Sequence, residues 1–336
     1  MTMKAIQQYA FGGPDVLRYE DAPVPALRAG EVLVRVHAVG LNPPDWYLRD
    51  GYKTLPPEWR PEVSFPLILG TDISGVIAAV ADDVTDFSLG EAVYSMVRFP
   101  EGAAGECRAY AQYVSVPASQ VARKPARLDH LHAAAAPMSL LTAWQFMIAS
   151  ADDVQNPLQP APHQPVALTG KTVLINGAAG GVGHFAVQLA KWQGAQVIAV
   201  ASGTHETFLR ELGADRFIDY TKTAAWDVVS EIDLVIDAPG GPDAGRFLPT
   251  LRRGGALFPI FPLGFSAIDE AARRGVTVST TQVRSSGAQL AELAGLFDRG
   301  VLQVAIDSVY PLADARQAHE RAARGHIRGK IVLSVL

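Results

Sequence analysis

Thr172–Asn176 is a short, nearly unbroken apolar run, and four glycines follow it between Gly177 and Gly183. The period then changes. Val182, Phe185, Ala186, Leu189 and Ala190 fall at i, i+3, i+4, i+7 and i+8, which is one face of a helix. The same succession continues downstream. "AQVIAVA" is followed by the helical "THETFLRELG", and "DRFIDY", "IDLVIDAP", "GGALFPIFP" and "GVTVSTT" read as further buried strands. Strands alternating with helices predict a parallel sheet covered on both faces. An amphipathic helix is predicted over Ala288–Gly300, closed by its glycine.

The first 130 or so residues have a different texture. "EVLVRVHAVGLN" alternates apolar and polar positions, and "LGTDISGVIAAVADDV", "EAVYSMV" and "YAQYVSVPASQVARKP" are β-type runs between Gly, Asp and Pro turns. A small barrel or curled sheet is expected. Near His130 the pattern becomes helical, with a break at Pro137. "QNPLQPAPHQP", near residues 155–165, reads as a surface loop or insertion. Strand texture returns in "SVYPL" and "GKIVLSVL", so the last segment is expected to rejoin the first domain. The expected division is 1–131 completed by 311–336, with 132–310 as the α/β domain.

Composition narrows the classes. The chain has 336 residues, 49% apolar and 19% charged, a globular balance with room for about two domains. Lys+Arg 29 against Asp+Glu 34 gives a net charge of -5, with no basic tract for a nucleic acid or an anionic membrane. No apolar run is long enough for a membrane span, and the N-terminus lacks a signal-peptide core. Cys107 is the only cysteine, so no internal disulfide or thiolate cluster is expected, and a reducing cytoplasm is the default location. His130 and His132 are the only close histidine pair and are expected to be surface residues in a loop, so no metal site is predicted.

Gly177-x-x-Gly180-x-x-Gly183 is near the dinucleotide fingerprint, with Ala178 where the pattern has another glycine. Gly180 and Gly181 would let main-chain amides approach a pyrophosphate, at the start of the helix carrying Val182. Gly183 would let that helix pack on the strand. The plain alternative is a tight turn without a ligand. No carboxylate closes the second strand; Ala201, Ser202 and Gly203 stand there. Ser202, Thr204 and His205 can donate to a 2′-phosphate, and Tyr220 and Lys222 could close over it. NADP(H) is therefore expected, against the reading that these are ordinary polar loop residues.

Taken together and in order, "VGLNPPDWYLRDGY", "PLILGTDISGVIAAV", "LLTAWQ", "NGAAGGVG", "LGADRFIDY", "LRRGGALFPI" and "GHIRGKIVLSV" make the chain resemble a known family. It is the zinc-independent branch of the medium-chain dehydrogenases/reductases, the quinone oxidoreductase-like proteins that include zeta-crystallin. The resemblance implies an α/β fold: a GroES-like β-rich catalytic domain made from both chain ends, plus a Rossmann dinucleotide-binding domain. Zinc-dependent relatives carry a catalytic Cys where this chain has Asn42, and Gly-His-Glu where it has Gly70-Thr71-Asp72. Their four-cysteine lobe is replaced by "RFPEGAAGECRAY". By resemblance, Asn42 lies beside the nicotinamide, Tyr47 and Tyr52 line the substrate cleft, Thr142 contacts the nicotinamide side, and the main chain near Ile260 and Phe261 closes the other side. For both tyrosines the alternative is core packing. His205 stands where many NADP-dependent relatives have Lys, which leaves the strictness over NADH open. A homodimer is implied, with "GVTVSTT" as a possible edge pair.

Without zinc, a carbonyl must be polarised by hydrogen-bond donors. That favours activated acceptors: quinones or α,β-unsaturated carbonyls. No Tyr-x-x-x-Lys and no Gly-x-Ser-x-Gly occurs, which argues against short-chain dehydrogenase and serine hydrolase chemistry. An enoyl-thioester or alkenal reductase is the second enzyme reading. A non-catalytic, crystallin-like or regulatory NADPH-binding protein is the third.

Overall fold

The computed structural model describes residues 1–150, 159 and 161–336. The chain forms two compact units. One comprises Met1–Leu141, Arg284–Gly300 and Val304–Leu336; the other comprises Thr142–Val283 and Val301–Gln303. The expected division placed the 288–300 helix in the α/β part. Packing puts it in the first unit instead. Tyr94 Oη donates to Leu290 O at 2.6 Å, and a Cβ on Gly287 would lie 2.7 Å from Ser119 O. Sequence order suggested the wrong neighbour because this helix directly follows the βα series.

The first unit is built around the strand Glu31–Gly40. It pairs antiparallel with Asp72–Val80, Tyr113–Pro117 and Lys330–Ser334. Ala92–Met96, Val121–Arg123 and Ile306–Pro311 extend this seven-stranded sheet, and Thr2–Gln8, Arg18–Pro23 and Leu67–Ile68 form a second sheet. Val32, Val34 and Val36 are fully buried, as period-two alternation requires. Each contributes about 1.5–3 kcal/mol relative to an exposed side chain. The strand's second half is buried on both faces, with Ala38 packed in a cluster that includes Ala134 and Ala135 of the helix His130–Ala135. A second helix, Pro137–Met147, begins at the proline, which lacks an amide hydrogen and so suits a first turn. The pairing Val332↔Gly40 brings the C-terminal strand beside the residue pair Leu41–Asn42.

The second unit holds a six-stranded parallel sheet. Its order is Arg216–Asp219, Gln196–Ala201, Thr172–Asn176, Ile232–Asp237, Leu251–Pro259, Thr277–Val278. Leu174, Ile198, Val200, Val235 and Leu257 form its core, which explains the unbroken apolar runs of its strands. The order reverses on either side of Thr172–Asn176, the strand that leads into the glycine turn. Ligands of open α/β sheets bind at such a switch point.

"GVTVSTT" contributes only the edge strand Thr277–Val278. Just beyond it, Gln282 N donates to Gln159 Oε1 at 2.9 Å, and the His163 ring bonds Ser279 Oγ at 2.7 Å and Phe146 O at 2.8 Å. Of the Pro-rich segment, residues 155–158 and 160 lie outside the described residues. Gln159 and His163 lie inside them and are buried, so the surface-loop expectation fails at these two positions. Their polar atoms find partners at the sheet edge, which is what makes burial tolerable. His130 and His132 also depart from expectation. They open a helix capped by Asp129 and are half-buried, His130 bonded to Ser74 Oγ at 2.8 Å and His132 to Asp129 at 2.7 Å.

Gly183 and Gly180 should respond unequally to substitution. A Cβ on Gly183 would lie 2.7 Å from Ala178 Cα and still closer to Gly177 O, both main chain. On Gly180 it would meet only Gly177 O, at 3.4 Å. Gly183→Ala is expected to destabilise the protein by about 3 kcal/mol or more, and Gly180→Ala by less than about 1 kcal/mol. Urea unfolding followed by circular dichroism measures both.

Candidate functional site

The second unit places the glycine turn at the end of the central strand. Gly177 has φ +70°, a left-handed conformation that glycine adopts without cost. Ala178 is buried; Gly180, Gly181 and Val182 are half-buried at the start of the helix Gly181–Trp192. The first amides of a helix lack intrahelical partners and carry partial positive charge. Space on the Cβ side of Gly180, with close packing at Gly183, fits a turn that admits a pyrophosphate to its main chain.

The neighbouring strand end gathers the expected ribose-side residues. Ser202, Gly203 and His205 are half-buried, Thr204 and Tyr220 exposed, and Ser202 Oγ lies 3.1 Å from Thr204 Oγ1. One residue there escaped the sequence reading. Asp219 ends the third strand, and a Cβ on Gly203 would lie 2.5 Å from its Oδ2. Its carboxylate accepts from Thr221 Oγ1 at 2.7 Å and pairs with Lys222 at 3.3 Å; the Thr221 bonds, then Lys222, hold its pKa below the usual range. The search for an acid at the second strand's end missed it because it arrives from the adjacent strand. Elsewhere in this unit, Thr142 is buried, and Ile260 and Phe261 are half-buried. Ile260 N donates to Asp237 O at 3.0 Å, and Phe261 O accepts from Gly241 N at 2.7 Å.

The first unit holds a different kind of site. Asn42 precedes the helix Pro43–Arg49 and is 1% exposed. Its Oδ1 accepts from the Lys330 ammonium; its Nδ2 donates to Thr71 Oγ1 at 3.2 Å and Gly40 O at 3.3 Å. The bonds of its amide are thus made within the unit. Asp45 reaches back to Asn42 N at 2.8 Å, stabilising the helix start. Thr71 Oγ1 donates to Asp72 Oδ1 at 3.4 Å, and Asp72 Oδ2 accepts from Met138 N at 2.9 Å. Tyr47 is half-buried against the core, its ring edge-on to Trp46. Tyr52 is 9% exposed, has φ +53°, and donates to Ala103 O at 3.0 Å. A positive φ at a bulky residue is costly.

Burial dominates the electrostatics. It raises the Asp45 pKa to about 7, aided by the Asp72 charge and opposed by the Asn42 amide and Lys330. It raises Asp72 to about 6, opposed chiefly by Lys330. The Lys330 pKa is lowered by burial, with the two carboxylates acting against that. Lys330 lies within "GHIRGKIVLSV"; its partner lies 288 residues away, so no local pattern pairs them. Asp45 was more accessible, because Asn42-x-x-Asp45 before a helix is a capping spacing.

These residues do not fit a zinc ion. Asn42 Oδ1 is bonded to a cation, and burial pushes the Cys107 thiol far above its ordinary pKa, so it stays protonated. Among the described residues no group of three His, Cys, Asp or Glu side chains is arranged to hold a metal.

Residues 28–126 match the alcohol dehydrogenase GroES-like domain family, and residues 212–333 the zinc-binding dehydrogenase family. The NAD(P)H oxidoreductase RTN4IP1, mitochondrial, of Mus musculus is 31% identical over 97% of this chain and 87% of its own length. Homo sapiens quinone oxidoreductase is 28% identical over 98% of this chain and 97% of its own. The quinone oxidoreductase structure from Coxiella burnetii superposes with a TM-score of 0.84 at 31% identity, covering both chains completely. Fold, sites and relatives define an NAD(P)H-dependent oxidoreductase of α/β architecture. The chain belongs to the zinc-independent, quinone oxidoreductase-like family of medium-chain dehydrogenases/reductases.

Lys330→Met removes the only cation in the Asp45–Asp72 cluster. The raised carboxyl pKa values mean that the folded state keeps protons the unfolded chain has lost. The cluster therefore contributes less stability as pH rises through about 6 to 7. Without Lys330 that decline becomes steeper. A loss of about 3–5 kcal/mol is expected near pH 8, where two carboxylates would stand uncompensated. It should shrink near pH 5, where both are protonated. Urea unfolding midpoints at the two pH values test the sign.

Proposed function

We propose that the protein is an NADPH-dependent reductase of quinones or α,β-unsaturated carbonyls that works without zinc. The observation that carries this reading is the Asn42–Lys330 pair. An amide and an ammonium occupy the position where a metal ligand would be needed, so polarisation of the acceptor falls to hydrogen-bond donors. Conjugated acceptors need the least polarisation. A reduced nicotinamide, when bound, supplies the hydride.

This chain's residues supply the rest. The main chain from Gly177 through Ala178 to Gly183 holds the diphosphate. Ser202, Thr204, His205 and Tyr220 meet the adenosine ribose and its 2′-phosphate. Thr142, Ile260 and Phe261 bound the nicotinamide, and Asn42, Tyr47 and Tyr52 bound the acceptor. The relative named for NAD(P)H and the relatives named for quinone support the class of both partners. The proposal includes a homodimer and a cytoplasmic location, the latter supported by a single, unpaired cysteine. Among the described residues no helix is long and apolar enough to cross a membrane.

Asp219 favours a second reading, in which NADH is also used. A carboxylate beside Gly203 repels a 2′-phosphate and can accept from a ribose hydroxyl. Asp219→Asn is expected to raise the NADPH-over-NADH ratio of kcat/KM by about twofold to fivefold, the range for a charge near the surface. An unchanged ratio would remove Asp219 from the ribose site.

The principal test follows absorbance loss of NADPH with a panel of quinones and enals. Turnover is expected with at least one. Cofactor that binds but is not oxidised by any acceptor would favour a non-catalytic binding protein. Gly180→Val, whose backbone (φ −77°, ψ −175°) any residue adopts, should keep the fold and weaken NADPH at least tenfold by calorimetry. Unchanged affinity would displace the pyrophosphate from this turn.

A further inference from the structure

The outer edge of the second unit's sheet is met by two buried polar residues. Thr277–Val278 is the last strand, and Ser279 N continues its ladder by donating to Leu257 O at 3.2 Å. With that amide turned inward, alternation turns the amides on either side of it away from Leu251–Pro259. An edge of this kind accepts a further strand, from the same chain or from another copy. The stretch that follows has its partners already. Gln159 Oε1 accepts from Gln282 N at 2.9 Å and from Thr281 Oγ1 at 3.2 Å, which uses both lone pairs of that oxygen. A glutamine amide carries the same polar groups as a peptide unit. Gln159 thus gives Gln282 the acceptor that a neighbouring strand would give it.

His163 fixes this arrangement. Its Nε2 lies 2.8 Å from Phe146 O, and a carbonyl only accepts, so Nε2 carries the hydrogen. In the neutral ring Nδ1 then accepts from Ser279 Oγ, 2.7 Å away. The ring meets Phe258, on the strand next to the edge, in a T-shaped contact at 4.6 Å, and lies tilted against Phe146 at 5.3 Å. Gln159 and His163 are 1% and 2% exposed. Burying polar side chains costs free energy unless partners replace the water. If filling space were the only need, apolar residues of the same bulk would meet it without that cost. The chain instead matches the edge, donor to acceptor, across 116 to 123 residues of sequence.

We propose that Gln159 and His163 form an intramolecular cap on this edge, standing where a strand from a second copy would pair. Two copies joined edge to edge around a two-fold axis would continue the six-stranded sheet through residues 279–282. Gln282 N has one hydrogen, and Gln159 holds it. The edge is therefore closed to a second copy while the cap is seated, and a homodimer of this chain joins through another surface. The inference does not depend on which acceptor the protein reduces.

The test is amide hydrogen exchange over residues 279–283 in the full-length protein, with mass from light scattering. The Gln282 amide should be protected, and its protection should hold across about a hundredfold dilution, because its partner belongs to the same chain. Gln159→Leu keeps the bulk and deletes the acceptor. In dilute solution its Gln282 amide should exchange about tenfold faster, the effect of losing one hydrogen bond. At high concentration the opened edge should pair, so that the mass doubles and protection returns with it. The dilution series needs no variant and decides the matter even where Gln159→Leu folds poorly. Protection that fades together with the mass as the parent is diluted would put a second copy on the edge and overturn the cap. A folded Gln159→Leu protein with the parent's protection overturns it as well. Faster exchange in that variant with a mass that never doubles overturns the second copy as the partner kept out. NADPH oxidation is measured separately, and its failure bears on the reductase reading alone.

Discussion

The first unit depends on the burial of one ammonium group. Lys330 is 4% exposed, and taking an amine of that kind out of water costs several kcal/mol unless charge and hydrogen bonds replace the solvent. Asn42, Asp45 and Asp72 are the replacement. They come from the N-terminal part of the chain, and Lys330 comes from its last strand. The antiparallel pairing of Lys330–Ser334 with Glu31–Gly40 is what brings them together. Closure of the sheet and assembly of the polar site are therefore one event. The final strand of this interrupted unit carries the counter-charge to the acids of its earlier part.

That arrangement has a chemical consequence. A metal ion polarises a carbonyl by direct coordination, and it does so irrespective of the acceptor's own electronics. An ammonium held behind an amide acts less directly. It orients Asn42 and sets how much charge the neighbouring carboxyls retain. The raised pKa values of the two acids follow from their burial, and the neighbouring ammonium limits that rise.

What was legible in the sequence follows from contact range. The glycine turn was, because strand, turn and helix lie within some twenty residues and each glycine has a steric reason visible in the spacing. The β-rich ends and the α/β middle were, because period two and period 3.6 are local properties. Tyr110, bonded to Asp45, and His319, bonded to Tyr110, were not. They lie 65 and 274 residues from Asp45 in the chain, and isolated tyrosines and histidines carry no pattern. The helix Gly287–Asp298 was seen as a helix but assigned to the wrong unit, because amphipathicity says that a face is buried and not against what. Asp219 was overlooked because strand order, not sequence order, sets it beside Gly203. Within "QNPLQPAPHQP", polar composition suggested a surface loop. Burial of Gln159 and His163 is compatible with polarity only because a sheet edge supplies partners.

The two units differ in what they ask of the chain. In the proposed reading the glycine turn would recognise through main-chain amides, which every residue possesses, and its geometry constrains the sequence only where a Cβ would intrude. Gly183 is such a place. The polar site of the first unit recognises through side chains, and each of its bonds names two residue types: Lys330 with Asn42, Tyr110 with Asp45, Arg49 with His319. In the first unit a single exchange leaves a buried charge or a buried donor unmatched, at a cost of about 1–3 kcal/mol or more. Variation is easier just outside this network: Phe99 and Ala103, which line the small cavity beside Asp45, make none of the network's bonds.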